Sequence, residues 1–252
     1  MKTCRAVCVL YLCILASVGG KSQAELIPRY ELGVHLGTFI YQGDLTPNDF
    51  GAFNTMKPGF AITATRNLNS LYAIRFQFLH GALKADDSKY ETPDWRRQRN
   101  FKFNTPVNEL SLQAVRNVLG LKSNEAGIIN FTPYVFAGIS YSFLNIKRDW
   151  SNFNYAHFAG EDAVVNGLNE DINHQPPKGL FSMPIGGGIR YGINEKLSFS
   201  LEGTYRIIGN DYLDGFSRAA NPEMADHYHT LMLGLVYSFG KRNQFDCPKV
   251  RF

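Results

Sequence analysis

The chain has 252 residues, 44% hydrophobic and 13% aromatic, with 26 basic against 22 acidic side chains. After the first two dozen residues no run reaches the about 18 consecutive apolar positions of a spanning helix, which excludes a helical membrane protein. Most of the formal charge of +4 lies at the N-terminus, where residues 1–24 carry Lys2, Arg5 and Lys21 and no acid; the remainder is nearly neutral, which argues against a nucleic-acid partner.

Residues 1–24 read as an export signal. Lys2 and Arg5 give the positive start, residues 6–18 a short apolar core, and Ser22-Gln23-Ala24 the small residues of a cleavage site. Leu12 is bulky where a lipoprotein signal needs a small residue before Cys13, so lipidation is not expected. Cys4, Cys8 and Cys13 leave with the signal, and Cys247 remains alone. A lone cysteine in an exported chain is either a free thiol or half of an intermolecular bond.

A two-residue beat then returns eight times, and strands point successive side chains to opposite faces. From Tyr30 to Tyr41, Leu32, Val34, Leu36 and Ile40 share one parity, and Glu31, Gly33, His35 and Gly37 the other. Gly59 to Arg66 sets Phe60, Ile62 and Ala64 against Ala61, Thr63 and Thr65. Leu71 to Gly81 sets Ile74, Phe76 and Phe78 against Ala73, Arg75 and Gln77. In Val107 to Leu119, Leu110, Leu112 and Ala114 oppose Glu109, Ser111 and Gln113; Arg116, on the apolar parity, is expected at an interface where it can snorkel.

The fifth segment, Phe131 to Phe143, sets Val135, Ala137 and Ile139 against Tyr134, Phe136, Gly138 and Ser140. Phe181 to Ile193 alternates Met183, Ile185, Ile189 and Tyr191 with Gly186, Gly188 and Arg190. Leu197 to Ile207 alternates Phe199, Leu201 and Tyr205 with Ser200, Glu202, Thr204 and Arg206. Tyr228 to Phe239 closes the series, with Leu231, Leu233, Leu235 and Tyr237 on the apolar side.

Long polar connections (41–58, 82–104, 146–180 and 209–226) alternate with tight turns at 67–70 and 194–196 and a moderate one at 120–127. Transmembrane barrels have short periplasmic turns and long outside loops. A soluble barrel would also alternate, but its polar parity would face water. Here that parity mixes charges with many glycines, which suits a crowded interior. The expected fold is all-β: an eight-stranded antiparallel up-and-down transmembrane barrel over 25–239. It lies in the outer membrane, with both termini and a 240–252 tail in the periplasm.

Glu31, Glu109 and Glu202 share the inward parity with His35, Arg75, Arg190 and Arg206. Buried charges need partners, and this set supplies three acids and three arginines. An eight-stranded barrel is just filled by side chains, so the set reads as a structural plug rather than an ion path. No spacing links His35 or His80 to a nucleophile, so no catalytic residues are assigned. His227 and His229 share a strand face, but with only Asp226 nearby no metal site is expected. Pro184-Ile185-Gly186-Gly187-Gly188 lacks the lysine of a phosphate loop, and no cofactor or small-molecule substrate is indicated. Trp95-Arg96-Arg97-Gln98-Arg99 reads as a solvated loop that could touch anionic lipopolysaccharide.

Several strings together carry a resemblance: Tyr41-Gln42-Gly43-Asp44-Leu45, Pro133 to Ile139, Pro184 to Gly188, Glu202 with Arg206, Asp211-Tyr212-Leu213-Asp214, and Cys247-Pro248. In their order and spacing the chain resembles the PorG-like outer-membrane barrels of Bacteroidota, a family built around a component of the type IX secretion system. Gly215-Phe216 departs from it, standing where the pattern has Asp-Val. The resemblance implies a non-enzymatic anchor among outer-membrane lipids. It would hold a periplasmic ring, made of a lipoprotein and its partner, through the turns and the tail that carries Cys247 and Pro248. Cys247 would then form a disulfide with the ring lipoprotein or stand as a free thiol. The alternatives are a divergent barrel that binds through its outside loops, and a lipid-modifying barrel enzyme.

Overall fold

The computed structural model describes residues 27–46, 51–121, 131–209, 212–220 and 226–241. Nine strands lie among them: β1 (Pro28–Gln42), β2 (Lys57–Asn67), β3 (Tyr72–Asp86), β4 (Lys102–Asn117), β5 (Phe131–Leu144), the three-residue β6 (Lys147–Asp149), β7 (Gly179–Gly192), β8 (Leu197–Ile208) and β9 (His227–Lys241). Eight of them pair in sequence, each antiparallel to the next, and β9 returns to β1 to close the cylinder. Closure leaves no edge strand around the barrel, the condition for a β-structure in hydrocarbon. The little β6 adds to the end of β4, with Lys102 opposite Asp149. No helix among the described residues is long and apolar enough to span a membrane, which leaves crossing to the strands.

The expected parity is the observed one through the middle of the wall. Leu36 is 66% exposed, and Leu233, its partner on β9, is equally so. Between them and the far end lie Val34, Ile62, Ile74, Leu112, Ile139 and Leu201, all exposed. Glu31, Arg75, Gln113, Glu202 and Arg206 are buried inside. Aromatic rings gather toward both ends of this outward band. Tyr30 stacks on Phe239 at 5.7 Å and Phe131 meets Tyr191 at 5.2 Å near the turn end; Tyr141 meets Phe181 at 4.9 Å near the loop end. An apolar belt flanked by aromatic girdles is the exterior of a transmembrane barrel. Arg116 pairs with Tyr72 beside the turn end, at the edge of the belt.

Four expectations need correction, all at the loop end. Ile40 has the outward parity yet is only 5% exposed, because the first long connection folds back over it. β3 and β4 run well past Gly81 and Val107, staying paired as far as Asp86 and Lys102. Residues 82–86 and 102–104 of the second long connection are therefore ladder. The connections are not solvated strings: they contain α1 (Trp95–Arg99) and the twelve-residue α2 (Asp162–Asn173). Finally, Arg96 and Arg99 are buried rather than solvated. A single apolar core explains all four. It begins inside the barrel mouth at Phe39, Leu79, Val107 and Met232 and continues outward through Leu83, Phe101, Phe103, Phe153, Leu168 and Phe216.

Candidate functional site

Two regions hold the chemistry of this chain: the charged lumen and the folded cap at the loop end.

In the lumen the six charges pair one to one across the barrel. Arg190 Nη1 on β7 donates to Glu31 Oε1 on β1 at 2.8 Å, with Asn67 Nδ2 donating to the same oxygen at 3.1 Å. Arg75 Nη1 on β3 donates to Glu202 Oε1 on β8 at 2.8 Å, and Tyr134 hydroxyl donates there at 2.7 Å. Arg206 Nε on β8 donates to Glu109 Oε2 on β4 at 2.7 Å, joined by Tyr228 hydroxyl at 2.6 Å. His35 Nε2 lies 3.1 Å from Thr63 Oγ1, and its Nδ1 lies 3.9 Å from Glu202. Rings cover the guanidinium faces: Arg75 sits 4.3 Å from the Phe136 centroid and Arg206 4.9 Å from that of Tyr228. Such stacking suits arginine, whose planar charge is weakly hydrated.

The glycines of β7 make this arrangement fit. A Cβ on Gly186 would stand 2.5 Å from Cζ of Phe136, and one on Gly188 would stand 2.7 Å from the Tyr134 hydroxyl. The Pro184 to Gly188 string thus leaves space for the two β5 rings that stack over Arg75. The result is a cross-braced interior in which each acid carries an arginine and at least one neutral donor. Charge-assisted bonds of this kind are the strong ones, and they tie strands that are not neighbours in the sheet.

The cap combines one arginine-paired acid with acids that gather backbone N–H groups. Asp87 has no exposed surface and accepts from Arg99 Nε at 2.7 Å, Arg96 Nη1 at 3.3 Å and the backbone N–H of Phe101 at 3.3 Å. Arg96 Nη2 also donates to the Thr46 carbonyl at 2.6 Å, which ties the second connection to the first. Burial pulls the Arg96 guanidinium below its ordinary value, against the raising effect of Asp87. Asp171, at the end of α2, accepts from the backbone N–H groups of Ser217, Arg218 and Ala219 at 2.9 to 3.1 Å. Arg148 donates to the carbonyls of Gly215 at 2.7 Å and His174 at 2.9 Å. Among these ties Phe101 stacks on Phe216, centroids 4.3 Å apart and planes 5° apart.

Two of the strings singled out in the sequence meet at the seam between lumen and cap. Tyr41 lies beside both Asp214 and Asp226, with its hydroxyl 2.7 Å from Asp214 Oδ2. Asp226 Oδ2 accepts from the Leu213 N–H at 3.0 Å, and Asp214 Oδ1 from the Phe216 N–H at 2.8 Å. The departing dipeptide lies in the same knot: Gly215 has φ +88°, the left-handed region that favours glycine, and Phe216 is fully buried.

The histidines do not converge. His35 is inside, His80 faces outward against Asn108, and His227 and His229 are half-buried on the outward face of β9. His227 Nδ1 accepts from the Ile208 N–H at 3.4 Å, while His229 packs near Phe53. No metal-holding group of three His, Cys, Asp or Glu side chains occurs among the described residues. Cys247 and Pro248 lie outside the described residues.

Residues 5–247 match the family model described as a domain of unknown function, DUF6089. The chain belongs to this family. No curated protein matches the sequence. Among solved structures the chain is similar to OprG of Pseudomonas aeruginosa, at 12% identity and TM-score 0.45, covering 87% of this chain and 99% of that one. It is similar to the Yersinia pestis attachment invasion locus protein Ail, crystallised with the heparin analogue sucrose octasulfate, at 12% identity and TM-score 0.43, covering 84% and 99%. Neisserial surface protein A matches at 13% identity and TM-score 0.43, covering 83% and 97%.

Proposed function

We propose that this DUF6089 protein is a sealed, non-enzymatic outer-membrane barrel that anchors a periplasmic secretion ring, as in the type IX system of the PorG-like barrels it resembles. The braced lumen carries this reading. A barrel filled by three buried acid–arginine pairs and roofed by a packed cap suits holding a position in the membrane better than passing a solute. The sequence strings behind the resemblance agree with it. Contact with the ring falls to the turn end and to the chain beyond Lys241, with Cys247 as the candidate disulfide partner of the ring lipoprotein.

β9 continues to Lys241, so the deletion that tests the tail starts at residue 242. Chains ending at 241 are expected to insert into the outer membrane but to lose secretion and co-purification of the ring lipoprotein. Secretion at the full level from an inserted, shortened barrel would sink the anchor reading. One observation favours a second reading, binding on the outer face: the cap is a packed body that displays Trp95 and Tyr155 at its surface. That reading predicts loss of an outside partner on changing Trp95 and Tyr155 to Ala, with secretion intact.

A further inference from the structure

The barrel wall has a notch. β2 pairs with β1 as far as Phe39 opposite Lys57. β3 pairs with β4 as far as Asp86 opposite Lys102. Between β2 and β3, however, the ladder stops at Phe60 opposite His80. Above that pair the two strands splay and leave an outward-opening groove of about 720 Å³. Its walls include Leu36, Pro58, Phe60, Ala82 and Pro106, with Lys57, His80 and Asn104 along the rim. Behind it stands the Phe39 ring, packed so close that a Cβ on Gly59 or Gly81 would lie 2.2 Å from it. The notch is therefore shut toward the lumen and open only sideways.

The polarity of the wall changes at this same level. Below it, the outward residues of β3 and β4 are Phe76, Phe78, Leu110 and Leu112. At it stand His80 and Asn108, with Nδ1 2.8 Å from Oδ1. Above it come Lys84 beside Asn104, then Lys147 on β6 opposite Asn104. Lys102, one step further, faces Asp149 across the ladder. Among the described residues no ion pair within 4 Å engages Lys57, Lys84 or Lys147. The groove is thus apolar at its floor and carries Lys57, His80 and Asn104 at its rim, with Lys84 on the same outward parity two residues beyond Ala82.

We propose that this notch holds one phosphate-bearing lipid of the surrounding bilayer. An acyl chain lies on the Leu36, Phe60 and Pro106 floor, and the phosphate lies between Lys57, Lys84 and the His80–Asn108 pair. Charge complementarity selects the occupant. An apolar floor alone would take any chain, whereas Lys57 at its rim and Lys84 just beyond favour an anionic headgroup, each contributing as basic residues do beside anionic membrane surfaces. The inference needs the barrel to stand in a membrane and is independent of which protein it anchors.

Native mass spectrometry of the full-length protein, extracted in detergent, tests it with three probes. These are dioleoyl phosphatidic acid, dioleoylglycerol with the same chains and no phosphate, and inorganic phosphate with no chain. Phosphatidic acid is expected to bind in a single copy and dioleoylglycerol to bind far more weakly, with no displacement by excess inorganic phosphate. Lys57→Gln with Lys84→Gln should weaken phosphatidic acid roughly 25-fold, about fivefold per lysine. Ala82→Trp, which fills the floor, should abolish its binding, and Lys196→Gln at the opposite end should change nothing. Equal binding of the two lipids, or wild-type binding by the double lysine variant, would overturn the proposal. Displacement by inorganic phosphate would overturn it too, since the lysines would then serve a soluble anion. None of these outcomes touches secretion, so the anchor reading stands or falls on its own test.

Discussion

The lumen and the loop-end cap share the arginine-paired buried acid, Asp87 with Arg96 and Arg99 in the cap, and differ in what their other acids hold. In the lumen, Glu31, Glu109 and Glu202 each face an arginine from a distant strand. In the cap, Asp171 and Asp226 gather backbone N–H groups, and an aromatic core lies between them. The difference follows from what surrounds each region. The wall stands in hydrocarbon, so apolar residues point out and polarity is confined inside, where it must be paired. The cap stands in water and follows the ordinary rule of apolar in and polar out. The chain inverts its polarity within single strands. β3 has Arg75 and Gln77 inside but, farther on, Leu83 and Ala85; β4 has Glu109 and Ser111 inside but Phe103 beyond them.

Two spectroscopically separate probes can break this comparison. Both tryptophans, Trp95 and Trp150, belong to the cap connections, so fluorescence follows the cap. The electrophoretic shift of the folded barrel follows the wall. The largest effect is expected for Glu109→Gln. Glu109 and Arg206 have no exposed surface, and removing one partner strands the other charge, at a cost of about 3–5 kcal/mol. In urea titrations of the protein in phospholipid vesicles, both probes should move to lower denaturant together. Glu109→Leu combined with Arg206→Met should recover most of the loss, because an apolar pair removes both desolvation penalties. A single variant that unfolds like wild type would show that the pair does not brace the wall.

Phe216→Ala should separate the probes. Its ring stacks on Phe101 in the cap core, and a Phe→Ala truncation in a packed core costs about 3–5 kcal/mol. That cost falls on the cap. Tryptophan emission should lose its native signal at lower urea while the electrophoretic transition stays within about 0.5 kcal/mol of wild type. Movement of both probes together would mean that cap and wall unfold as one unit. Gly215 and Phe216 both lie in the cap, apart from the lumen pairs.

The wall was legible in the sequence because a two-residue period survives over eight segments, and the inward charges could be read from it as a set. Which acid meets which arginine was not legible. Glu31 and Arg190 are 159 residues apart, Arg75 and Glu202 127, and Glu109 and Arg206 97, and their meeting depends on how far the strands shear as the barrel closes. The cap was missed for a physical reason too. Where the outward face of β3 leaves the membrane it carries Lys84, so the apolar parity switches sides and the segment reads as a polar loop. Leu83, Phe101 and Phe103 were the available signal: apolar residues spaced by two, on the parity that had been polar below. α2, with the sequence DAVVNGLNEDIN, offers few apolar positions and is held by Asp171, whose partners follow some 46 residues later.

The smallest of the three effects concerns the seam. Tyr41 is the last inward residue of β1 before the first connection, and its hydroxyl lies between Asp214 and Asp226. Its ring packs edge-on against Phe103 at 4.7 Å, so the same side chain touches the strand end, the fourth connection and the cap core. Tyr41→Phe keeps the ring and removes only the hydroxyl. One donor hydrogen bond is worth about 1 kcal/mol, so the urea midpoint should fall slightly. The informative quantity is how that small loss divides. A residue that couples two bodies shifts both transitions by similar amounts, whereas a residue belonging to one shifts that one alone. Equal small shifts in fluorescence and electrophoresis would place the joint between membrane wall and water-facing cap at Tyr41. A shift confined to fluorescence would move the joint inward, toward Phe39 and Met232, and make Tyr41 part of the cap.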